Sequence, residues 1–164
     1  MDKTGSKRRG RDGQSESSGA GRSGPTNLKF AISSNHAASQ DVQRQILAAV
    51  GRHGFNESST FAVRIALEEA MTNAVKHGNR LDSSKKVHVK AVVSTKECEI
   101  VIEDEGPGFN RAAVPDPTLH ENLEKCSGRG IHLIEAYMNE VDWSRGGRKL
   151  RMLKRNEPDV IPRG

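Results

Sequence analysis

The stretch LEEAMTNAVKHGN, residues 67–79, combines a helix-forming pattern with a row of polar side chains. Glu69, Asn73 and His77 recur at every fourth position among small and apolar neighbours. Successive residues of an α-helix are about 100° apart around its axis. On such a projection Glu69 lies next to the apolar arc centred on Leu67, and the later members of the row lie at the border of that arc. Charged side chains are rarely buried without partners. A polar row at the border of the buried face therefore predicts that this helix lines one side of a cleft.

The side chains of the row have distinct chemical uses. A glutamate can accept a proton or orient an attacking hydroxyl group. An asparagine one turn away offers a neutral oxygen to a hard cation such as Mg²⁺. Taken from this helix alone, Glu69 and Asn73 are more simply explained as solvated positions, and His77 as a cationic partner of the helix C-terminus.

The composition limits the classes of protein to consider. The chain has 164 residues, of which 34% are hydrophobic, so we expect one domain with a core and some unfolded length. No apolar run approaches the roughly 18 residues of a membrane span, and no apolar segment behind the N-terminal charges marks a secretory signal. The two cysteines, Cys98 and Cys126, have no metal-ligand spacing and favour a reducing, cytoplasmic location.

The net charge of +5 comes from the two ends of the chain, whereas the middle is mildly acidic. Residues 1–26 are rich in Gly, Ser, Lys and Arg and predict a disordered basic tail, and residues 156–164 predict a flexible C-terminal tail. A nucleic-acid interface would more often interleave basic residues with aromatics, which make up only 4% of the chain. No direct nucleic-acid contact is expected, and a contact through the basic ends is the weaker alternative.

Helical periodicity appears in three places. The first helix is expected over residues 36–53, with Ser34 or Asn35 as its N-cap. The second, capped by Ser58 or Ser59, is expected to continue through the opening stretch to His77 and to stop at a glycine. A third helix is expected to begin directly after the sequence SGRG.

Strand periodicity appears at residues 27–33, in a predicted hairpin over residues 85–104 and in a second hairpin over residues 140–155. Because most strands come in hairpins, we predict an α+β fold. It is expected to be a two-layer sandwich, with three helices on one face of a mostly antiparallel, mixed sheet.

Two glycine motifs lie outside the opening stretch. In EDEGPGF, residues 103–109, Asp104 follows a strand and could accept a hydrogen bond from an exocyclic amine such as that of adenine. Gly106 and Gly108 allow the backbone to bend and to approach a ligand closely. An ordinary acidic turn would have the same pattern, so this motif alone is weak evidence.

The second glycine motif is SGRGIHLIE, residues 127–135, which places Gly128 and Gly130 directly before the third predicted helix. Free backbone N–H groups at a helix start attract phosphate, although glycines before helices are common. Residues 110–127 precede this motif and show little periodicity. Long segments of this kind tend to be lids or binding loops.

In combination, E-A-x-x-N on a helix, D-x-G-x-G after a strand and G-x-G-I opening a helix resemble a known ATPase superfamily. Its members include DNA gyrase, heat-shock protein 90, histidine kinases and mismatch-repair ATPases. Over residues 27–155 the chain is similar to the small stand-alone branch of bacterial anti-sigma factor serine/threonine kinases. The resemblance implies the histidine-kinase-like ATPase (Bergerat) fold, with ATP and Mg²⁺ as cofactors.

The resemblance also implies roles for matching residues. Asn73 would hold Mg²⁺, Glu69 would orient or deprotonate the attacking hydroxyl group, and Asp104 would read adenine. Residues 110–127 would form the ATP lid. The other implied nucleotide-binding residues are Gly106, Gly108, Gly128, Arg129, Gly130 and Ile131. The wider superfamily often adds a Ser or Thr beside adenine on a late strand, where this chain has only Ser144.

The implied function is that of an ATP-dependent protein kinase acting as an anti-sigma factor. Such a protein sequesters a sigma factor and phosphorylates an anti-sigma antagonist on serine. The alternative is an ATP-binding partner-switch module with little or no kinase turnover, and the presence of Glu69 favours chemistry. The family pattern is compatible with a homodimer.

Overall fold

The computed structural model describes residues 24–109 and 126–158. The predicted N-terminal tail up to residue 23, nearly all of the predicted lid and the last six residues lie outside this part. Within it, three α-helices and five strands follow one another in the predicted order. No helix in the described ranges is long and apolar enough to cross a membrane.

The five strands form one sheet in the order β1-β2-β3-β5-β4. All pairings among the described strands are antiparallel, which agrees with the predicted mostly antiparallel sheet, although the parallel pair that a mixed sheet would add is absent among them. The reason is that β5 returns between β3 and β4 and runs opposite to both. The strands are β1 (Thr26–Ser33), β2 (Lys86–Val93), β3 (Glu97–Glu103), β4 (Glu140–Ser144) and β5 (Lys149–Arg155).

The three helices are α1 (His36–Arg52), α2 (Glu57–Thr72) and α3 (Cys126–Tyr137). Their apolar sides and alternate residues of the central strands form one core, as a two-layer α+β fold requires. Cys98 lies in this core, and burial raises the pKa of its thiol to about 12. Cys98 is therefore an unreactive core residue.

The helix N-caps confirm one prediction and correct another. Asn35 caps α1, and its side-chain oxygen accepts a hydrogen bond from Ala38 N at 2.8 Å. Asn56 caps α2 by accepting from Ser59 N at 2.7 Å, so the predicted cap at Ser58 or Ser59 was wrong. Ser59 is instead buried inside the first turn, where its hydroxyl donates to Arg155 O.

The second helix does not remain α-helical to its end. It is α-helical as far as Thr72 and continues as a π-helix over Asn73–Gly78, which corrects the prediction of one α-helix reaching His77. The hydrogen bond from Asn79 N to Ala74 O, at 2.9 Å, closes the wider turn. Short π-helical turns within helices are frequent at functional sites.

The third helix starts earlier than expected. Because α3 begins at Cys126, both Gly128 and Gly130 lie within the helix rather than before it. The prediction of a glycine loop in front of the helix was wrong for these two residues. Periodicity could not reveal this start, because the apolar pattern begins only at Ile131.

Candidate functional site

The E-A-x-x-N motif and the second glycine motif meet in space. A β-carbon added to Gly130 would lie 2.5 Å from Glu69 Oε2 and 3.6 Å from Asn73 Nδ2. The backbone of α3 therefore passes directly over the side chains of Glu69 and Asn73. Glycine at position 130 allows the Glu69 carboxylate to keep this position, because a side chain there would displace the flexible end of Glu69.

Glu69 and Asn73 are held in an environment that disfavours isolated polar groups. Both side chains are half-buried. Burial raises the pKa of Glu69, the charge of Glu68 adds to the increase, and His77 opposes it. Asn73 Nδ2 is buried and has no hydrogen-bond partner within the described residues. Polar groups held in this way are more typical of ligand sites than of a core.

A second cluster forms at the other end of the π-helix. Asp104 follows β3, and its Oδ1 accepts a hydrogen bond from Gly106 N at 2.8 Å. A β-carbon on Gly78 would lie 2.5 Å from the Asp104 carboxylate, and one on Gly106 would overlap the carbonyl oxygen of Gly78. Two glycines thus let the end of the π-helix, the carboxylate and its loop pack against one another.

Burial is also the main influence on Asp104, and it raises the pKa of this carboxyl group. The hydrogen bond from Gly106 and the positive charge of Arg148 partly oppose this increase. An acceptor carboxylate in such a half-buried position can bind a donor group of a ligand more strongly than it could in water.

The raised pKa of Asp104 predicts a pH-dependent stability change. A carboxyl group with a raised pKa in the folded state destabilises the fold when it ionises. This effect is absent below the ordinary aspartate pKa of about 3.9 and complete above the raised value. We therefore expect Asp104→Asn to raise the melting temperature at pH 7, with the difference vanishing toward pH 3. Thermal unfolding at several pH values measures this.

Asp82 offers a control of opposite sign. It is fully exposed, and hydrogen bonds from Ser84 lower its pKa, so its ionised form favours the folded state. Asp82→Asn should therefore not raise the melting temperature at pH 7. If Asp104→Asn also fails to raise it, burial does not control the ionisation of Asp104 as described.

The residues after Asp104 border an open cavity of about 470 Å³. Gly108 has φ +80°, and a β-carbon there would overlap Gly146 O in the β4–β5 turn. Phe109 packs edge-on against Trp143, whose buried Nε1 has no partner within the described ranges. The cavity-lining residues are Pro107, Gly108, Phe109, Trp143, Ser144, Gly146 and Gly147.

The remaining predicted residues have different surroundings. Arg129 is exposed, and Ile131 is only 6% exposed. Gly128 lies in the first turns of α3. His77 is exposed, in the π-helix. Residues 24–109 and 126–158 contain no group of three or more His, Cys, Asp or Glu residues able to hold a metal ion.

Sequence reasoning missed Asn79, the last residue of the opening stretch. Its side chain is 1% exposed and hydrogen-bonds to three other segments. The available signal was an asparagine directly after the glycine that ends the helix. A polar residue there can serve as an ordinary helix end, so the sequence did not distinguish it.

Comparisons with known proteins place the chain in a family. A model of the histidine kinase-like ATPase domain matches residues 32–154. The chain is 35% identical over 83 residues to an anti-sigma F factor of Oceanobacillus iheyensis, covering 49% of this chain and 56% of that protein. It is 33% identical over 107 residues to the serine-protein kinase RsbW of the same organism, covering 61% and 68% respectively.

A solved structure shares the fold. In the crystal structure of the RsbU and RsbW domains of a Mycobacterium tuberculosis protein, the match has a TM-score of 0.56 at 18% identity. It covers 81% of this chain and 33% of that one. The chain spans 56% to 59% of the length of the anti-sigma F factors that it matches in Oceanobacillus iheyensis and Clostridium perfringens.

Proposed function

The chain belongs to the histidine kinase-like ATPase family, and from this premise we propose that it is an ATP-dependent protein serine/threonine kinase that acts as an anti-sigma factor. It would sequester a sigma factor and phosphorylate an anti-sigma antagonist on serine. Relatives named anti-sigma F factor and serine-protein kinase RsbW support this proposal. The observation that carries it is the meeting of Glu69, Asn73 and Gly130.

The residues of the site fit Mg·ATP by their chemistry. Asn73 offers an oxygen ligand of the kind that Mg²⁺ prefers, and Mg²⁺ typically uses one or two protein oxygens together with phosphate oxygens and water. The buried Nδ2 of Asn73 has no hydrogen-bond partner within the described residues and can donate to an oxygen atom of a ligand. When bound, ATP would supply the phosphoryl group, and Mg²⁺ would neutralise part of the negative charge of the phosphates.

Each side chain then has one task. Asn73 would hold Mg²⁺ through its amide oxygen. Glu69 would accept the proton of the serine hydroxyl or orient it, and its raised pKa brings it nearer the working range of a general base. Asp104 would accept a hydrogen bond from the exocyclic amine of adenine. Phosphoryl transfer depends mainly on such positioning and charge neutralisation.

The alternative function is an ATP-gated binding module that exchanges protein partners with little or no kinase turnover. The same pocket would serve both functions, since nucleotide binding does not need Glu69 as a base. The half-buried Glu69 carboxylate favours the kinase, because an acid without a chemical role gains nothing from a desolvated position.

Nucleotide binding can be followed with the single tryptophan of the chain, Trp143, which borders the cavity beside Gly108. Titration with Mg·ATP should change its fluorescence, and a phosphoacceptor protein added with labelled ATP should then acquire label on serine. Absence of any binding would reject both functions. Binding without transfer to any anti-sigma antagonist offered would favour the partner-switch module.

Replacing Asn73 with alanine should weaken the affinity for Mg·ATP by about tenfold to a hundredfold, the effect typical of losing a metal-site contact. The fold should be little affected, because Asn73 Nδ2 makes no hydrogen bond within the described residues. Calorimetric titration with and without Mg²⁺ measures the change. The variant and the wild-type protein should bind metal-free ATP about equally, and a similar loss without metal would contradict the metal role.

A further inference from the structure

Asn79 makes a fully satisfied set of hydrogen bonds at the junction behind the Asp104 loop. Its Nδ2 donates to Ser34 Oγ at 2.8 Å and to Lys86 O at 2.9 Å. Its Oδ1 accepts from Glu105 N at 2.8 Å. With 1% of its surface exposed, Asn79 is a buried polar residue whose two amide hydrogens and carbonyl oxygen are all used.

These bonds connect separate parts of the chain. Ser34 precedes α1 and donates its hydroxyl to Lys85 O at 2.7 Å, at the entrance to β2. Glu105 lies between Asp104 and Gly106, and its carboxylate accepts a hydrogen bond from Lys86 N. Asn79 thus links the end of the π-helix, the start of β2 and the loop that carries Asp104.

The bond to Glu105 N acts directly on the position of the Asp104 carboxylate. Gly106 cannot move toward the π-helix, because it already contacts the carbonyl oxygen of Gly78. Asn79 Oδ1 prevents the opposite movement by holding Glu105 N. The two residues that follow Asp104 are therefore both restrained, Glu105 by its hydrogen bond to Asn79 and Gly106 by its contact with Gly78.

The backbone next to Asn79 supports a specialised role. Arg80 and Leu81 have φ values of 52° and 59°, a left-handed conformation that costs energy for residues other than glycine. Such conformations persist only where the surroundings impose them. The side-chain bonds of Asn79 and the hydrogen bond from Leu81 N to Val75 O anchor the two ends of this turn.

We propose that Asn79 is a positioning residue that holds the Asp104 carboxylate in place through Glu105 N and thereby sets the preference of the site for adenine over guanine nucleotides. This inference rests on the proposed function, because it takes Asp104 as the group that reads the base. Adenine presents an exocyclic amine donor, which a carboxylate accepts, whereas guanine presents a carbonyl oxygen at the equivalent position. Movement of the carboxylate should therefore weaken ATP binding specifically.

The test is the ratio of ATP to GTP affinity in folded protein, measured by titration with Mg²⁺ present. Asn79→Ala removes the acceptor of Glu105 N, and we expect the ratio to fall by about tenfold, as for the loss of one hydrogen bond to a critical group. Asn79→Ser should do the same. Its hydroxyl takes the place of the amide carbon and is therefore one bond too short to reach Glu105 N, but unlike alanine it keeps a polar group in the buried site.

Ser34→Ala is the matched control. It removes two bonds of the same buried network, from Asn79 Nδ2 to Ser34 Oγ and from Ser34 Oγ to Lys85 O, but leaves the bond from Glu105 N to Asn79 Oδ1 intact. We expect it to lower the melting temperature while leaving the ratio of ATP to GTP affinity unchanged. A purely structural role for Asn79 predicts that the three variants lose stability and keep the wild-type ratio.

The outcomes separate this inference from the proposed function. If the wild-type protein binds neither nucleotide, the proposed function fails. If the wild-type protein prefers ATP and folded Asn79→Ser retains that preference, the role of Asn79 is overturned even though the site is correct. If Ser34→Ala loses the preference as fully as Asn79→Ser does, the effect belongs to the whole network, and the specific role of Asn79 is rejected.

Discussion

Replacing Glu69 with alanine is expected to slow phosphoryl transfer by about 10²- to 10⁴-fold, the range typical of a lost general base. Affinity for Mg·ATP should stay near the wild-type value, because the carboxylate is proposed to act on the serine hydroxyl rather than on the nucleotide. The structural basis is the half-buried carboxylate under the backbone of Gly130. Single-turnover transfer of labelled phosphate to an antagonist measures the rate.

Glu68 provides a matched control one residue away. It has the same side chain on the same helix but is exposed, so Glu68→Ala should leave the transfer rate within about twofold of wild type, as is usual for surface substitutions. Removing Glu68 also removes a charge that raises the pKa of Glu69. The acid limb of the pH–rate profile should therefore move to lower pH in Glu68→Ala.

The Glu69 result also separates the two candidate functions. A kinase loses turnover in Glu69→Ala and keeps nucleotide binding. A partner-switch module shows the same partner exchange with and without the carboxylate. Transfer at the wild-type rate by folded Glu69→Ala would rule out the proposed role of this residue, whatever the affinity for ATP.

Replacing Gly106 with alanine is expected to weaken ATP binding by about 10²-fold, since a shift of about 1 Å in a binding group can have this effect. The added methyl group would overlap the carbonyl oxygen of Gly78, and the backbone of one segment must move. The same overlap should lower the free energy of unfolding by about 1–3 kcal/mol. Nucleotide titration and denaturant unfolding measure the two effects separately.

Gly51→Ala is the control for a general effect of glycine substitution. Gly51 lies in α1, and a β-carbon there would meet nothing within 4 Å. Alanine at this position should increase stability by about 0.5–1 kcal/mol, because it reduces the freedom of the unfolded chain, and should leave ATP affinity unchanged. Wild-type ATP affinity in Gly106→Ala would show that the Asp104 loop does not bind the nucleotide.

The sequence was sufficient for the order of the elements and the fold class. Strands β2 and β3 and helix α1 were predictable because their periodicity depends on residues that are close together in the chain. This periodicity can be read directly from the sequence. The cap at Asn35 was within the predicted choice for the same reason. The motifs also indicated Glu69, Asn73 and Asp104 as candidate site residues before their surroundings were known.

The tertiary structure alone decided how these residues are held. The cap at Asn56, the π-helix over Asn73–Gly78 and the early start of α3 depend on hydrogen bonds and packing between distant segments. The buried bonds of Asn79 depend on Ser34 and Glu105, which are remote in sequence. Periodicity reports only which face of an element is apolar. The contacts made across that face appear once the chain has folded, because the geometry of a contact belongs to both partners.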